Sequence, residues 1–412
     1  MRQIDDASKR ALRGSRAGDK IVAFARYGST VHPDPIPISR YAFSWDTTRQ
    51  IQSFTCTVAD PTGALAPWLL EDPLGVGGAV LDLRYEIGGT GTQINLGPYR
   101  IAQNRPKERW LSYIIRNDGS VNPDSPLGKD KELKFVPGGA TMDITAYDLG
   151  LTVKKDRLIA PESPPTGTSP TVVSEVKRLL RDICGVVVMP GVGDVAVSPN
   201  IIYERERLDA VQDLCKRIFC DYRFNGEGLL EIYPVLEQAP VETLAGGPEG
   251  LLVAVDRSQD LEGLSNRFVV DGTRELADGK TEPIRGIVDI DTGVLSITGP
   301  HGRVPEFYSS TMITTQEQAD NYATQMALSQ LTGLTIDLAV TCLPMPHLQQ
   351  GDWVTVANPI VDGDPVPLVG RVKSLDLKSG TGTAPAPMSL VVQCSYWTVQ
   401  SVIGAGRSRF GN

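Results

Sequence analysis

Residues 168–185, TSPTVVSEVKRLLRDICG, and 205–234, RERLDAVQDLCKRIFCDYRFNGEGLLEIYP, bound the stretch Thr168–Pro234 around which the chain is read. Ser169-Pro170 predicts a helix start, an N-cap followed by proline at the first helical position. Val172, Val173, Val176, Leu179, Leu180 and Ile183 recur at helical spacing, and Gly185 stands at the expected stop. A second helix places Leu208, Val211, Leu214, Cys215 and Ile218 on one face. Arg205, Glu206, Asp209, Asp213, Lys216 and Arg217 occupy the other. Cys220–Phe224 and Leu229–Tyr233 then flank Asn225-Gly226-Glu227-Gly228, which reads as a hairpin around a Gly-rich turn. The apolar faces of this helix–helix–hairpin unit need a partner, and the segment at 251–333 is the expected one.

On either side the pattern is that of short strands. Residues 1–20 read as a short helix or a loose arm. Ile21–Tyr27 is a strand, and the proline-rich run His32–Pro37 is a loop, because proline cannot donate to a ladder. Tyr41, Phe43 and Trp45 alternate, as do Phe54, Cys56 and Val58. Val80–Ile87 and Asn95–Ala102 flank Gly88–Thr92, and Trp110–Arg116 and Ala140–Tyr147 flank an Asp-, Gly-, Pro- and Lys-rich loop, Asn117–Gly139. The linker Ala160–Pro170 holds four prolines and marks the clearest boundary.

After a polar stretch, Glu237–Gly250, come a strand at Arg267–Asp271 and a hairpin of Ile284–Ile290 with Val294–Thr298. A helix opens at Thr314 with Glu317 at capping-box spacing. Ala319, Tyr322, Ala323, Met326 and Leu331 line one face of that helix, and Gly333 closes it. Strands return at Ile336–Cys342, Trp353–Val356, Val366–Leu377 and Met388–Trp397, and Ser401–Asn412 reads as a loose tail.

Composition is that of a folded chain, 41% apolar and 22% charged. A net charge of −9 argues against a protein built to coat nucleic acid or an anionic membrane. Cys56, Cys184, Cys215, Cys220, Cys342 and Cys394 show no C-x-x-C spacing and read as buried reduced thiols. The polar start Met1–Lys20 lacks the apolar core of a signal peptide, and no window approaches the ~18 apolar residues of a membrane span.

Chemistry is sparse. His32, His301 and His347 are isolated in sequence and match no metal-site spacing. There is no G-x-S-x-G elbow. Gly88-Gly89-Thr90-Gly91 lacks the following helix and lysine that a phosphate loop requires, so it reads as a hairpin turn. Asp289 with Asp291, and Asp362 with Asp364 around Gly363, read as turn-capping acids. The sharper readings are a glycosidase pair and a weak divalent-ion site. Lys9, Arg10, Arg13, Arg16 and Lys20, and Lys129, Lys131 and Lys134, form basic runs without interleaved aromatics and read as a solvated arm and loop. No catalytic, cofactor-binding or metal-ligating residue is assigned, and no cofactor is expected.

Three stretches taken in order resemble a known family. The first runs from Tyr41–Trp45 through Cys56–Asp60 and Asp72-Pro73-Leu74 to Leu96-Gly97-Pro98-Tyr99-Arg100-Ile101. The second is Arg207-Leu208-Asp209-Ala210-Val211 followed by the hairpin ending in Ile232-Tyr233-Pro234. The third is the helix Glu317–Leu331, then Pro344-Met345-Pro346 and Gly351-Asp352-Trp353-Val354. Together they resemble the phage tail hub and minor tail proteins, baseplate-hub-like, of long-tailed actinobacterial phages and of the N-terminal region of tail-associated lysins.

The resemblance implies an α+β, mainly β fold with two small tube-like β-barrels. The expected division is 1–20 arm, 21–150 first barrel, 151–236 inserted helix–helix–hairpin domain, 237–334 mixed α/β domain, 335–400 second barrel and 401–412 tail. It implies a non-enzymatic, structural protein of the virion tail tip. Three copies would form a homotrimeric ring joining the six-fold tail tube to the three-fold tip. Implied partners are the tail tube and distal tail proteins, the tape-measure protein and a central fibre, with genome DNA passing through the lumen unbound. With the sequence ending at Asn412, shortly after the second β-domain, the enzymatic domain of the lysin-bearing relatives is not expected. The rival readings are a tail-associated cell-wall hydrolase acting through Asp289 and Asp291, and a receptor-binding carbohydrate module.

Overall fold

In the computed structural model the described residues are 2, 4–14, 18–46, 51–88, 90–116, 131–165, 169–197, 201–247, 250–258, 263–275, 281–309, 313–361, 364–380 and 386–407. The protein is α+β and mainly β. Two compact units divide it: Met1–Val255 with Ala339–Val392, and Asp256–Leu338 with Gln393–Asn412.

The first unit opens with α1 (Asp6–Arg13), whose N-cap Asp5 accepts from the Ser8 amide at 2.7 Å. The strands that follow are β1 (Lys20–Tyr27), β2 (Thr30–Val31), β3 (Ile38–Asp46), β4 (Ser53–Asp60), β5 (Val80–Glu86), β6 (Gln93–Arg116) and β7 (Lys131–Tyr147). Their apolar residues alternate inward at period two. Ile21, Ala23 and Ala25 of β1 and Phe54, Cys56 and Val58 of β4 are buried while their neighbours are not. The hydrogen-bonded order is β3-β4-β7-β6-β5-β1, with the two-residue β2 added at the edge of β1. An antiparallel bridge between Ala23 and Ile36 ties β1 to the chain just before β3.

Two expectations change here. Trp110–Arg116 is not a separate strand; bulges at Ile101/Gln103 and Glu108/Trp110 shift the register of β6 without ending it. Lys131–Gly139, expected in a loop, pairs with it as part of β7, while residues 117–130 lie outside the described residues.

The insert follows as α2 (Leu149–Lys155), α3 (Val172–Leu180), β8 (Val186–Val188), α4 (Arg207–Arg217), β9 (Cys220–Phe224) and β10 (Leu230–Pro234). β9 and β10 are the expected hairpin, and β8 adds to β10 in parallel. α3 starts later than Ser169-Pro170 predicts. Thr171 is the N-cap, and it exchanges hydrogen bonds with Ser174, a reciprocal pair that the sequence offers only from Thr171. The expected packing on 251–333 is corrected as well. The insert's core joins Val172, Val176, Leu179 and Leu180 of α3 to Leu208, Val211 and Leu214 of α4. Tyr222, Phe224, Leu230 and Ile232 of the hairpin complete it, with Val153 of α2 and with Ile51 packed against it. α2, absent from the sequence reading, supplies the missing cover. No described residue of 251–333 belongs to this core.

β11 (Glu242–Ala245) forms inside the stretch read as polar, and β12 (Leu252–Ser258) follows. The second unit contributes β13 (Arg267–Glu275), β14 (Thr281–Asp289), β15 (Pro305–Ser309) and α5 (Gln316–Thr332). β14 pairs with β13 along nine residues, and not with Val294–Thr298, which folds as turns. The Ser296 hydroxyl there donates to the Asp291 carbonyl, and Leu295 is buried in the core with Phe268, Val270, Ile284, Ala319 and Ala323. The cap of α5 lies one residue beyond Thr314: Thr315 accepts from Gln318, whose side chain accepts in return. β16 (Thr335–Cys342), β17 (Trp353–Val361), β18 (Asp364–Lys378) and β19 (Met388–Ser395) complete the strands. α6 (Tyr396–Arg407) replaces most of the expected loose tail, and residues 408–412 lie outside the described residues.

The main sheet orders its later strands β11-β17-β18-β19-β16-β12, a second set of six. β18 also pairs with β3, through Ser374–Lys378, so both six-stranded sets belong to one hydrogen-bonded sheet.

Candidate functional site

Among the described residues, a constellation of buried charge sits where the insert's hairpin meets the rest of the first unit. In β9 the side chains of Cys220, Tyr222 and Phe224 enter the insert core. Arg223, between them, takes the opposite face. It is only 5% exposed. Its guanidinium donates to Glu231 Oε2 at 2.9 Å, to Asp352 Oδ1 at 2.9 Å and to the Gln350 carbonyl at 2.7 Å. It also lies over the Tyr233 ring, 4.9 Å from the centroid. Burial pushes the Arg223 pKa down, but the carboxylates of Asp352 and Glu231 more than offset this and hold it above its ordinary value. Asp352 in turn accepts from the Gln349 amide at 2.8 Å.

The turn that delivers Asp352 requires glycine before it. Gly351 has φ +82°, and a Cβ there would lie 2.1 Å from the Tyr233 ring. On the other side, Asn95 donates from Nδ2 to the Gly226 carbonyl at 2.7 Å. The hairpin is therefore gripped by Asn95–Pro98 at its turn and by Gly351-Asp352 at its strand. Both belong to stretches that carried the family resemblance.

Arg2 enters the same region. Its backbone amide donates to the His347 carbonyl at 2.8 Å, and its guanidinium donates to the Pro346 carbonyl at 2.7 Å. The Phe43 and Trp45 rings lie 6.0 and 5.8 Å from it. Burial lowers its pKa to about 10, so it stays cationic at neutral pH. Nearby, Tyr99 donates to Gln52 Oε1 at 2.5 Å, and Gln52 donates to the Phe224 carbonyl at 3.3 Å. Asp148 caps α2 by accepting from the Gly150 amide, and burial raises its pKa to about 7. Glu242 of β11 pairs with Arg13 of α1, and its Oε2 stands 3.5 Å from Nε2 of the fully buried His347. These groups hold elements in register. No open cleft brings a nucleophile and a base together among them.

The residues singled out in sequence are dispersed. Asp289 is held by Arg267 at 2.7 and 2.6 Å, and that pairing keeps its carboxyl below its ordinary pKa, the wrong direction for a proton donor. Asp291 lies in the turn after β14. Asp362 and Gly363 lie outside the described residues, and Asp364 opens β18. The Gly88–Gly91 turn has an acid where a phosphate would sit: Gly88 donates to Asp19 at 2.8 Å, and Gly89 is outside the described residues. Arg13 and Lys20 are paired with Glu242 and Glu86, and Arg10 donates to its own helix. Arg16 and Lys129 lie outside the described residues, while Lys131 and Lys134 are on β7. His32 contacts the Asp34 carbonyl and His301 the Leu264 carbonyl. Among the described residues no three His, Cys, Asp or Glu side chains are grouped to hold a metal ion. None of the six cysteines is joined in a disulfide, and burial pushes Cys56, Cys215 and Cys394 up to about 12, which leaves them inert thiols.

Such an arrangement, two six-stranded sets and a clamped insert, has the fold of phage tail proteins. The 43 kDa tail protein of prophage MuSo2 from Shewanella oneidensis superposes with a TM-score of 0.57 at 12% identity, covering 91% of this chain and 98% of that one. The tail protein from Neisseria meningitidis MC58 superposes with a TM-score of 0.54 at 13% identity, covering 90% and 96%. No family model matches the chain, and no curated protein matches it by sequence. The resemblance first read from short motifs is thus present at the level of fold.

Proposed function

We propose that the protein is a structural hub of a phage tail tip: a homotrimeric ring that joins a six-fold tail tube to a three-fold tip and lets DNA pass. One observation carries this reading. A chain that shares its fold with two tail proteins over nine-tenths of its length holds two six-stranded sets, so three copies present six around one axis. The proposed hub domains are 21–150 and 335–400, the second completed by β11 and β12. The insert at 151–236 and the rest of the mixed segment at 237–334 lie outside the ring wall. A closed ring also covers sheet edges that a lone copy would leave open.

The role is non-enzymatic. Its partners are tail tube, distal tail, tape-measure and central-fibre proteins at the virion tail tip. An acidic or neutral lumen lets DNA slide, because phosphate contacts drive non-specific retention. Mass measurement tests the ring. A trimer of about 130 kDa, three times the 44.5 kDa chain, is expected in solution or in purified particles. A single copy per tail would remove the reading, and a strongly basic lumen would remove its account of DNA passage. Clearing of host cell wall in a zymogram would favour the hydrolase instead.

A further inference from the structure

The loop between β4 and β5 shows three large apolar side chains in succession to solvent: Trp68, Leu69 and Leu70 are 79%, 59% and 64% exposed. This is no slack loop. The Asp72 carboxylate accepts from the Trp68 and Leu69 amides at 2.7 and 2.8 Å, and the Gly77 amide donates to the Leu70 carbonyl at 2.8 Å. A Cβ at Gly75 or Gly77 would lie 2.4 or 2.5 Å from that carbonyl oxygen, so only glycine fits. Leu74 is fully buried as the loop's root, and Asn104 donates to its carbonyl at 3.0 Å. A large apolar tip on a fixed loop binds without the cost of ordering it, and aromatic anchors of this kind dominate interfaces.

A receiving surface lies at the other end of β4. Ile51, Thr55, Thr145, Tyr147, Leu151 and Lys154 line an open groove of about 610 Å³. β4 has eight residues, so its ends are roughly 25 Å apart. Hydrogen bonds to Asp60 and Asn104 keep the loop at its own end. A chain therefore does not fill its own groove. Charge agrees: the tip runs into exposed Glu71, and the groove ends at Lys154 and Lys155 in the last turn of α2.

We infer that Trp68–Leu70 of one copy docks into the groove beside α2 of a second copy of this chain. The two patches differ, so the contact is head-to-tail, and it closes into a ring when the rotation per copy allows. That closure rests on the trimeric reading; the pairwise contact does not.

The test uses full-length chains. Leu69→Cys and Lys154→Cys variants are mixed under mild oxidation. A disulfide-linked dimer is expected in the mixture and not with either variant alone; five of the six native thiols are buried. Trp68→Glu, whose side chain touches solvent, should leave the circular dichroism unchanged and weaken self-association by roughly 30-fold or more, as for loss of an aromatic anchor. An oligomer of unchanged mass in Trp68→Glu, with no mixed disulfide, overturns the inference and leaves the ring intact. A chain monomeric at every concentration, whose Trp68→Glu variant still assembles into tails as wild type does, overturns it too. Binding to phosphatidylcholine vesicles that Trp68→Glu abolishes, without a mixed disulfide, would reassign the tip to a lipid surface.

Discussion

The hairpins β9–β10 and β13–β14 are built from the same cross-strand pair and use it differently. Arg223 stands opposite Glu231 in the first, and Arg285 opposite Asp271 and Arg274 opposite Glu282 in the second. In β13–β14 both partners face water. Such pairs help register and contribute little stability, because solvent already satisfies each charge. In β9–β10 the turn at Gln350–Asp352 covers the guanidinium and supplies a second and a third acceptor. The pair becomes a lock, costly to break from one side. An ion pair's role is thus set by what lies over it.

The largest effect should come from breaking that lock. Arg223→Ala strands Asp352 and Glu231 and should destabilise the protein by about 3–5 kcal/mol in denaturant unfolding. A loss below about 1 kcal/mol, the range of an exposed pair, would erase the contrast between the hairpins. Gly351→Ala attacks the cover instead of the charge. The added Cβ meets the Tyr233 ring at a positive φ, so roughly 1–3 kcal/mol should be lost.

Asp148 sharpens the comparison through pH. Its folded-state pKa, about 7, is raised above its ordinary 3.8, so the folded protein holds the proton more tightly than the unfolded chain does. The resulting stabilisation is complete below about pH 4 and is lost as pH rises toward 7. Asp148→Asn keeps an acceptor for Gly150 and should flatten the stability profile across that window; an unchanged slope in thermal melts would place the carboxyl in water. The smallest effect is expected for Arg285→Ala, with no resolvable change in melting temperature, against the marked drop for Arg223→Ala.

Much of the fold was legible because one-sided burial writes period-two and helical patterns into the chain. β1, β3, β4, β16 and α4 follow those patterns closely. Helix starts were displaced where two hydroxyl residues compete: Ser169 and Thr171, Thr314 and Thr315. The reciprocal partner at Ser174 or Gln318 decides, and that is geometry. Val294–Thr298 has strand composition, but β14 already has a partner in β13. The junction was the least legible part. Arg223 looks like an exposed strand residue, and Asp352 lies 129 positions away in sequence. The exposure of Trp68-Leu69-Leu70 is shown by the fold alone.

The buried arginines also set a schedule for synthesis. Arg2 is separated from Pro346, the carbonyl it donates to, by 344 residues, and Arg223 from Asp352 by 129. At ribosomal rates of about 5–20 residues per second, Arg2 waits on the order of tens of seconds for its acceptor. Until Gly351-Asp352 emerges, the hairpin has no cover and Arg223 stays hydrated. The nascent chain can complete the insert's own core early, but it cannot seat that insert until the late strands arrive. The order in which residues leave the ribosome thus defers the finished fold until most of the chain has been made.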